Sequence, residues 1–262
     1  MPNVYLRRTN RRRWLAFVTA CALLVAGQLW LHLDSRQAFT GVWAGLAWLW
    51  DNFMPDQAAW HDLPTIAYQL WRTVVIAIAA TSTAAIVAVG LGLAGATTTG
   101  RVRWLRGGVR LFASVMRNFP FVAWALILLF SFKQNDFTGF LALFLMTIGY
   151  LTRAFIETLE EVGGGAIEAL EATGARYWPI VIQGVLPAAI GGLLSWVLYM
   201  IENNIRDATL VGMLTGTGIG FTFDLYFKSF RYPSAGLVVV ALIITTIVIE
   251  LLATHLRQVL TH

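Results

Sequence analysis

Apolar residues in this chain come in long runs separated by short polar stretches. The first run extends from Trp14 to Leu33, after the basic stretch RRTNRRR at 7–13, and others cover about 66–96, 111–131, 137–156, 184–203 and 234–254. A bilayer core about 30 Å thick takes about 20 residues at a 1.5 Å rise to cross as a helix. Each run is close to that length or longer, so the pattern predicts an all-α polytopic membrane protein of six transmembrane helices.

The first run has a competing reading as a cleaved signal peptide or twin-arginine leader. It is long enough to span and has no clean small-x-small cleavage site, which favours an uncleaved first helix. Residues 34–65 hold Trp43, Trp48, Trp50 and Trp60 among Asp51, Asp56 and Asp62, broken by Pro55 and Pro64. Indole rings prefer the membrane interface, so this segment is expected to lie at the interface, with a short surface helix near 39–52 followed by a loop. Pro120 falls inside the third run, where neighbouring helices can re-satisfy the freed carbonyl. The expected organisation is one transmembrane domain over 1–262. It comprises a basic N-terminus and first span (1–33), an extracytoplasmic interfacial segment (34–65) and a core (66–257) with a polar loop at 157–179.

Composition narrows the class. Of 262 residues, 58% are hydrophobic and 13% charged, against about 45–50% and about 25% in soluble domains. An ordinary soluble enzyme, a disordered chain and a basic nucleic-acid-binding arm are excluded. The net charge is +5, and its distribution carries the information. With the N-terminus inside, twelve Lys and Arg residues fall on the side of the termini, four on the other and three within spans. By the positive-inside rule both termini are cytoplasmic. The single cysteine, Cys21, and scattered histidines at 32, 61, 255 and 262 predict neither a disulfide framework nor a metal site.

The loop at 157–179 contains I-E-A-L-E-A-T-G-A-R-Y-W-P. Ile167, Leu170, Gly174 and Trp178 follow i, i+3, i+7 and i+11, which predicts one apolar stripe on a short helix. Glu168, Glu171 and Ala175 lie on the neighbouring face, and Pro179 is expected to stop the helix. An exposed stripe needs a membrane surface or a protein groove to cover it. Two glutamates against one arginine, Arg176, disfavour an anionic lipid surface, so a cytosolic partner is expected.

The spacing of Glu168, Ala169, Gly174, Leu186 and Pro187 resembles the cytoplasmic loop signature of binding-protein-dependent ABC importers. Two positions depart from it: Leu170 replaces the usual second alanine, and Gly184 stands where isoleucine is common. Farther on, E-N-N-I-R-D-A-T-L-V-G-M and G-I-G resemble the permease of phosphonate ABC importers, with matches at Glu202, Asn204, Arg206, Ala208, Thr209, Gly212, Gly218, Ile219 and Gly220. The likeness covers 147–257, and more loosely 53–60 and 117–125. Thr215 and Thr217 stand where that family usually has more glycine.

The resemblance implies a type I ABC importer transmembrane fold in a bacterial inner membrane. It implies a second copy of the permease, two cytosolic ATPase subunits that use ATP and Mg, and an extracytoplasmic substrate-binding protein. This chain would bind no cofactor and perform no catalysis. Its cargo would be phosphonate or a related phosphorus oxyanion, with phosphite, phosphate or an unrelated solute as alternatives. Glu168, Ala169, Leu170, Gly174, Leu186 and Pro187 would couple it to the ATPase.

Charged residues in the spans supply the remaining candidates. Glu202 and Arg206 are four apart, the spacing of an ion pair on one helix face, at the end of the fifth run. Either the two form a structural ion pair near the outer interface, or Arg206 lines a translocation pathway and pairs with an oxyanion, with Glu202, Asn203, Asn204 and Thr209 beside it. Arg117, about six residues into the third run, reads as snorkelling to the cytoplasmic interface, with a role in the pathway as the alternative. The passage T-G-T-G-I-G-F at 215–221 lacks the strand and helix of a nucleotide fingerprint. Gly216, Gly218 and Gly220 are instead expected to form a bent outer gate. Two rivals remain, a secondary transporter and a membrane-embedded enzyme. The first gives no account of the loop signature, and the second lacks convergent acid, base or metal ligands.

Overall fold

The computed structural model describes the backbone of residues 3–30 and 35–261, and the side chains of 10–30, 40–162, 164, 167, 170 and 172–259. Among the described residues the secondary structure is helical, with no strand. Packing divides the chain into two compact units, Met1–Asn52 and Phe53–His262. The first unit carries α1 (Asn3–Trp30) and most of α2 (Ser35–Phe53). Over Asn10–Trp30, α1 is apolar enough to cross a membrane, and none of its residues there is buried.

The second unit starts with a short 3-10 turn, Ala59–Asp62, leading into α3 (Leu63–Gly95). Pro64 sits in the first turn of α3, where its missing N–H costs no helical hydrogen bond. There follow α4 (Arg103–Asn118), α5 (Phe121–Phe132), α6 (Asp136–Ala172), α7 (Tyr177–Thr215), α8 (Gly218–Lys228) and α9 (Tyr232–Thr261). Five helices of the described chain are long and apolar enough to span, and the bent α4–α5 pair makes a sixth if counted as one.

Four expectations need correction. The third run is no single rod: α4 and α5 meet at 89° around Phe119–Pro120. Proline has no N–H to donate and biases the residue before it toward extended backbone, and Phe119 is extended here (ψ 121°). The stretch 157–179 is not a separate loop helix, because α6 runs unbroken to Ala172, with no proline between 121 and 178 to interrupt it. Pro179 starts a helix rather than stopping one, since it lies in the first turn of α7. The fifth span extends to Thr215, so Glu202 and Arg206 are interior to α7 and not at its end.

The core is built on α3 against α6. Ala77, Thr81, Ala84, Ala88, Gly92 and Gly95 form the buried face of α3, spaced three or four apart so that one face carries only small side chains. A Cβ on Gly92 would come within 3.1 Å of the Phe155 Cβ. Phe155, Leu151, Ile156 and Leu159 of α6 fill the groove and meet Ile180, Val185 and Leu193 of α7. At the level of Asn204 the three helices share a polar tie. Its Nδ2 donates to Thr81 Oγ1 at 2.8 Å and Thr147 Oγ1 at 2.7 Å.

Polar pairs close both ends of this core. At one end Arg72 of α3 holds Asp136, the first residue of α6. Nearby, Arg231 and Ser234 both donate to Asp62, with Arg231 over the Tyr226 ring. Burial and the Asp62 carboxylate push the Tyr226 phenol above its ordinary pKa. At the other end the Glu160 carboxylate accepts from Arg110 and the Thr97 N–H. Arg110 Nε also donates to the Gly95 carbonyl.

Candidate functional site

The reversal between α6 and α7 is set by Gly174. Its φ is +78°, a left-handed value that residues with a Cβ adopt only at a cost. The N–H groups of Thr173 and Ala175 both reach the Leu170 carbonyl, closing the end of α6. The predicted stripe is therefore broken: Ile167 and Leu170 lie on α6, while Trp178 lies on α7. Ile167, Leu170 and Ala175 pack, partly buried, on the chain's own core, so that half of the stripe is covered within the chain. Thr173, Gly174 and Arg176 remain exposed at the tip, with Trp178 64% exposed beside them.

The α3–α4 connection braces that tip. Tyr177 donates its hydroxyl hydrogen to the Thr99 carbonyl at 3.0 Å, and the Arg101 guanidinium stacks 3.9 Å from the Tyr177 ring centroid. Thr98 to Arg101 on one side and Ile167 with Ala175 to Trp178 on the other line a cavity of about 570 Å³. Neither Arg101 nor Tyr177 stood out in the sequence, because their partnership spans 76 positions and belongs to no local pattern.

Leu186 is partly buried in the same core as Leu170, and Pro187 is exposed. A π-turn over Ile180–Val185 precedes them, with the Leu186 N–H donating to the Val181 carbonyl. Such a turn re-aims the carbonyls that a following proline would otherwise obstruct. The side chains of Glu168, Ala169 and Glu171 lie outside the described residues, although their backbone is helical.

Farther along α7, Glu202 accepts from Arg206 at 3.0 Å and from Arg257 of α9 at 3.4 Å. Arg206 also donates to Asn203 Oδ1 at 3.1 Å. The Glu202 side chain is 11% exposed and that of Arg206 50%, so the carboxylate is sunk and the guanidinium faces outward. Asn204 is fully buried and ties helices in this conformation rather than lining an open path. Thr209 is half-buried, its hydroxyl turned to the Ile205 carbonyl. Asp207, directly after Arg206, was missed in the sequence.

The glycine passage is a tight corner and not a long irregular segment. Gly216 and Gly218 have φ of +69° and +63°, and α8 begins at Gly218. A Cβ on Gly220 would overlap the Thr209 carbonyl oxygen, and one on Gly218 the Thr73 hydroxyl. Both glycines are buried. Among the described residues no three His, Cys, Asp or Glu side chains gather as metal ligands would.

Residues 86–262 match the family described as binding-protein-dependent transport system inner membrane component. The chain belongs to that family. It is therefore a multi-pass inner-membrane permease subunit of an ABC importer, in which a separate ATPase hydrolyses ATP and a substrate-binding protein delivers the cargo. The permease of a cryptic phosphonate transport system in Escherichia coli (strain K12), PhnE2, is 36% identical over 118 residues, 45% of this chain and 97% of that protein. A permease named for phosphite transport in Stutzerimonas stutzeri, HtxC, is 27% identical over 260 residues, 97% of this chain and 90% of that one. The phosphate-import permease protein PhnE of Mycolicibacterium smegmatis (strain ATCC 700084 / mc(2)155) is 25% identical over 89% of this chain, which spans only 44% of that protein. In fold, the chain resembles the inward-facing MetNI methionine ABC transporter. The TM-score is 0.66 at 19% identity, over 75% of this chain and 96% of that one, so this permease has the type I importer architecture.

Proposed function

We propose that this permease works as a homodimer and carries phosphonate, or a closely related phosphorus oxyanion, across the inner membrane by alternating access. The observation that carries the reading is the likeness to relatives named for phosphonate and phosphite transport, at 36% identity over 118 residues and at 27% over 97% of the chain. The excess of Lys and Arg orients both termini and the α6–α7 tip toward the cytoplasm. The exposed Thr173, Gly174, Arg176 and Trp178, with Glu168 and Ala169 just before them, then enter a groove on each of two ATPase subunits. Leu170, Leu186 and Pro187 connect that contact to the core. Closure of the ATPases with ATP and Mg moves α6 and α7 together, since both pack on α3 through the Phe155 cluster.

In this reading Glu202, Asn203, Arg206 and Thr209 flank the path of the oxyanion. The corner at Gly216, Gly218 and Gly220 is the pivot of the outer gate, near the surface that receives the binding protein. Phosphite or phosphate is the second reading, favoured by HtxC, which aligns over nearly the whole chain. Calorimetry on the cognate binding protein with alkylphosphonates, phosphite and phosphate tests the choice. Tightest binding of a phosphonate is expected, and binding of none of the three classes would refute the oxyanion reading.

A further inference from the structure

Toward its N-terminal end, α3 holds the start of α8. Thr73 is buried, and its hydroxyl donates to the Gln69 carbonyl and accepts the Ile219 N–H, both at 2.9 Å. Ile219 lies in the first turn of α8, where backbone N–H groups have no partner within the helix. Thr217, the residue before α8, gives that turn no side-chain cap, so Thr73 supplies one from another helix. The fit is close, since a Cβ on Gly218 would overlap the Thr73 hydroxyl.

At the C-terminal end the chain leaving α3 folds back on it. The Ala96 N–H donates to the Gly92 carbonyl, and the Thr99 hydroxyl donates to the Leu93 carbonyl at 2.7 Å. Thr99 is buried and moves with the last turn of α3. Its own carbonyl accepts the Tyr177 hydroxyl at the start of α7. On the other side the Thr97 N–H donates to Glu160, and the Thr98 hydroxyl to the Leu159 carbonyl of α6. Both arms of the α6–α7 tip therefore grip the tail of α3.

Between these contacts α3 is one unbroken helix, with no proline from 65 to 119 to kink it. Thr73 and Leu93 are 20 positions apart, about 30 Å at helical rise, which matches the thickness of a bilayer core.

We propose that α3 is a connecting rod that carries movement of the α6–α7 tip to the Gly216–Gly220 corner, with Tyr177 and Thr73 as the positioning residues at its two ends. The inference rests on the reading above of the tip as the ATPase contact and of the corner as the outer gate. A displacement of Tyr177 reaches Thr99 and through it the last turn of α3. The helix passes it along its axis, and Thr73 draws the first turn of α8 with it. Coupling over such a distance travels through rigid elements joined by side-chain contacts, and sliding of packed helices is an established form of domain closure.

The test uses the complete complex with its ATPase and binding protein. Cys21→Ser removes the single native cysteine, and Phe221→Cys carries an environment-sensitive fluorophore on α8, at an exposed position. Trapping the ATPase with Mg, ADP and vanadate is expected to shift the emission of this background complex. Tyr177→Phe and Thr73→Val are each expected to reduce the shift about threefold or more, with basal hydrolysis per assembled complex within about twofold. Thr73→Ser keeps the hydroxyl and is expected to keep the shift. A merely structural role would lower yield or melting temperature and leave the shift per assembled complex intact. An undiminished shift in either Tyr177→Phe or Thr73→Val overturns the proposal, as does loss of the shift in Thr73→Ser. Should one of the first two fail to assemble, the other decides. No shift in the background complex, before any variant is compared, refutes the gate reading itself and the proposal with it.

Discussion

Leu170 occupies the space that a side chain at position 184 would need: its Cδ1 lies 2.6 Å from where a Cβ on Gly184 would stand. The two positions face each other across the α6–α7 reversal, one long side chain against none. Both depart from the usual loop signature, which has alanine at the first and often isoleucine at the second. The departures compensate in space, keeping the filled volume at this contact.

Gly184→Ile should therefore overpack the reversal, at a cost of about 1–3 kcal/mol, and lower the melting temperature of the purified complex. Leu170→Ala alone should leave a void, with a loss of about 2–5 kcal/mol at most for this half-buried site. The double variant should recover most of the stability and of the ATPase stimulation. Additive losses in a double-mutant cycle would refute the compensation.

Gly174→Ala forces a Cβ into left-handed backbone, at about 1–2 kcal/mol. Because nothing lies within 4 Å of that Cβ, the cost is conformational and not steric. Asparagine tolerates this backbone better, so Gly174→Asn should retain more uptake than Gly174→Ala. Equal uptake by the two variants would contradict a conformational origin.

Gly220→Ala places a methyl group on the Thr209 carbonyl oxygen, and backbone cannot swing aside as a flexible side chain can. Loss of folded permease from the membrane is expected, measured by fluorescence-detected size exclusion. Gly216→Asn, at φ +69°, should accumulate normally. Normal accumulation of Gly220→Ala would mean that α7 and α8 separate easily at this corner.

Asn204→Ala removes the tie between α3, α6 and α7. Hydrogen bonds between membrane helices contribute about 0.6–2 kcal/mol, and the Thr81 hydroxyl keeps its bond to the Ala77 carbonyl. A modest fall in melting temperature is expected, with uptake per folded complex nearly unchanged. Arg206→Ala should behave in the opposite way, abolishing uptake while assembly with the ATPase persists. Normal transport by Arg206→Ala would remove that residue from the pathway.

The helical class, the apolar segments and the approximate coupling region were legible in the sequence, because each depends on runs of residues or on short spacings. The ends of α6 and α7 were not. Polarity at 157–179 read as a loop, yet a helix continues through polar residues until proline or a left-handed position stops it, and here that is Gly174. The stripe of Ile167 and Leu170 was correctly read as apolar and wrongly left without cover, since the surface that buries it comes from α7 after the reversal. Arg117 and Asp207 lie 90 positions apart, yet both line one cavity beside the α4–α5 break. Asp207 carried a local cue, an acid directly after the Arg206 already under suspicion.

The central claim, import of a phosphorus oxyanion driven by ATP, is tested most directly by uptake into proteoliposomes holding the permease, its cognate ATPase and the binding protein. ATP should drive accumulation of isotopically labelled methylphosphonate, phosphite or phosphate, and an ion gradient without ATP should not. Failure to accumulate any of the three, in a complex whose ATPase is active and stimulated by its loaded binding protein, would contradict the account.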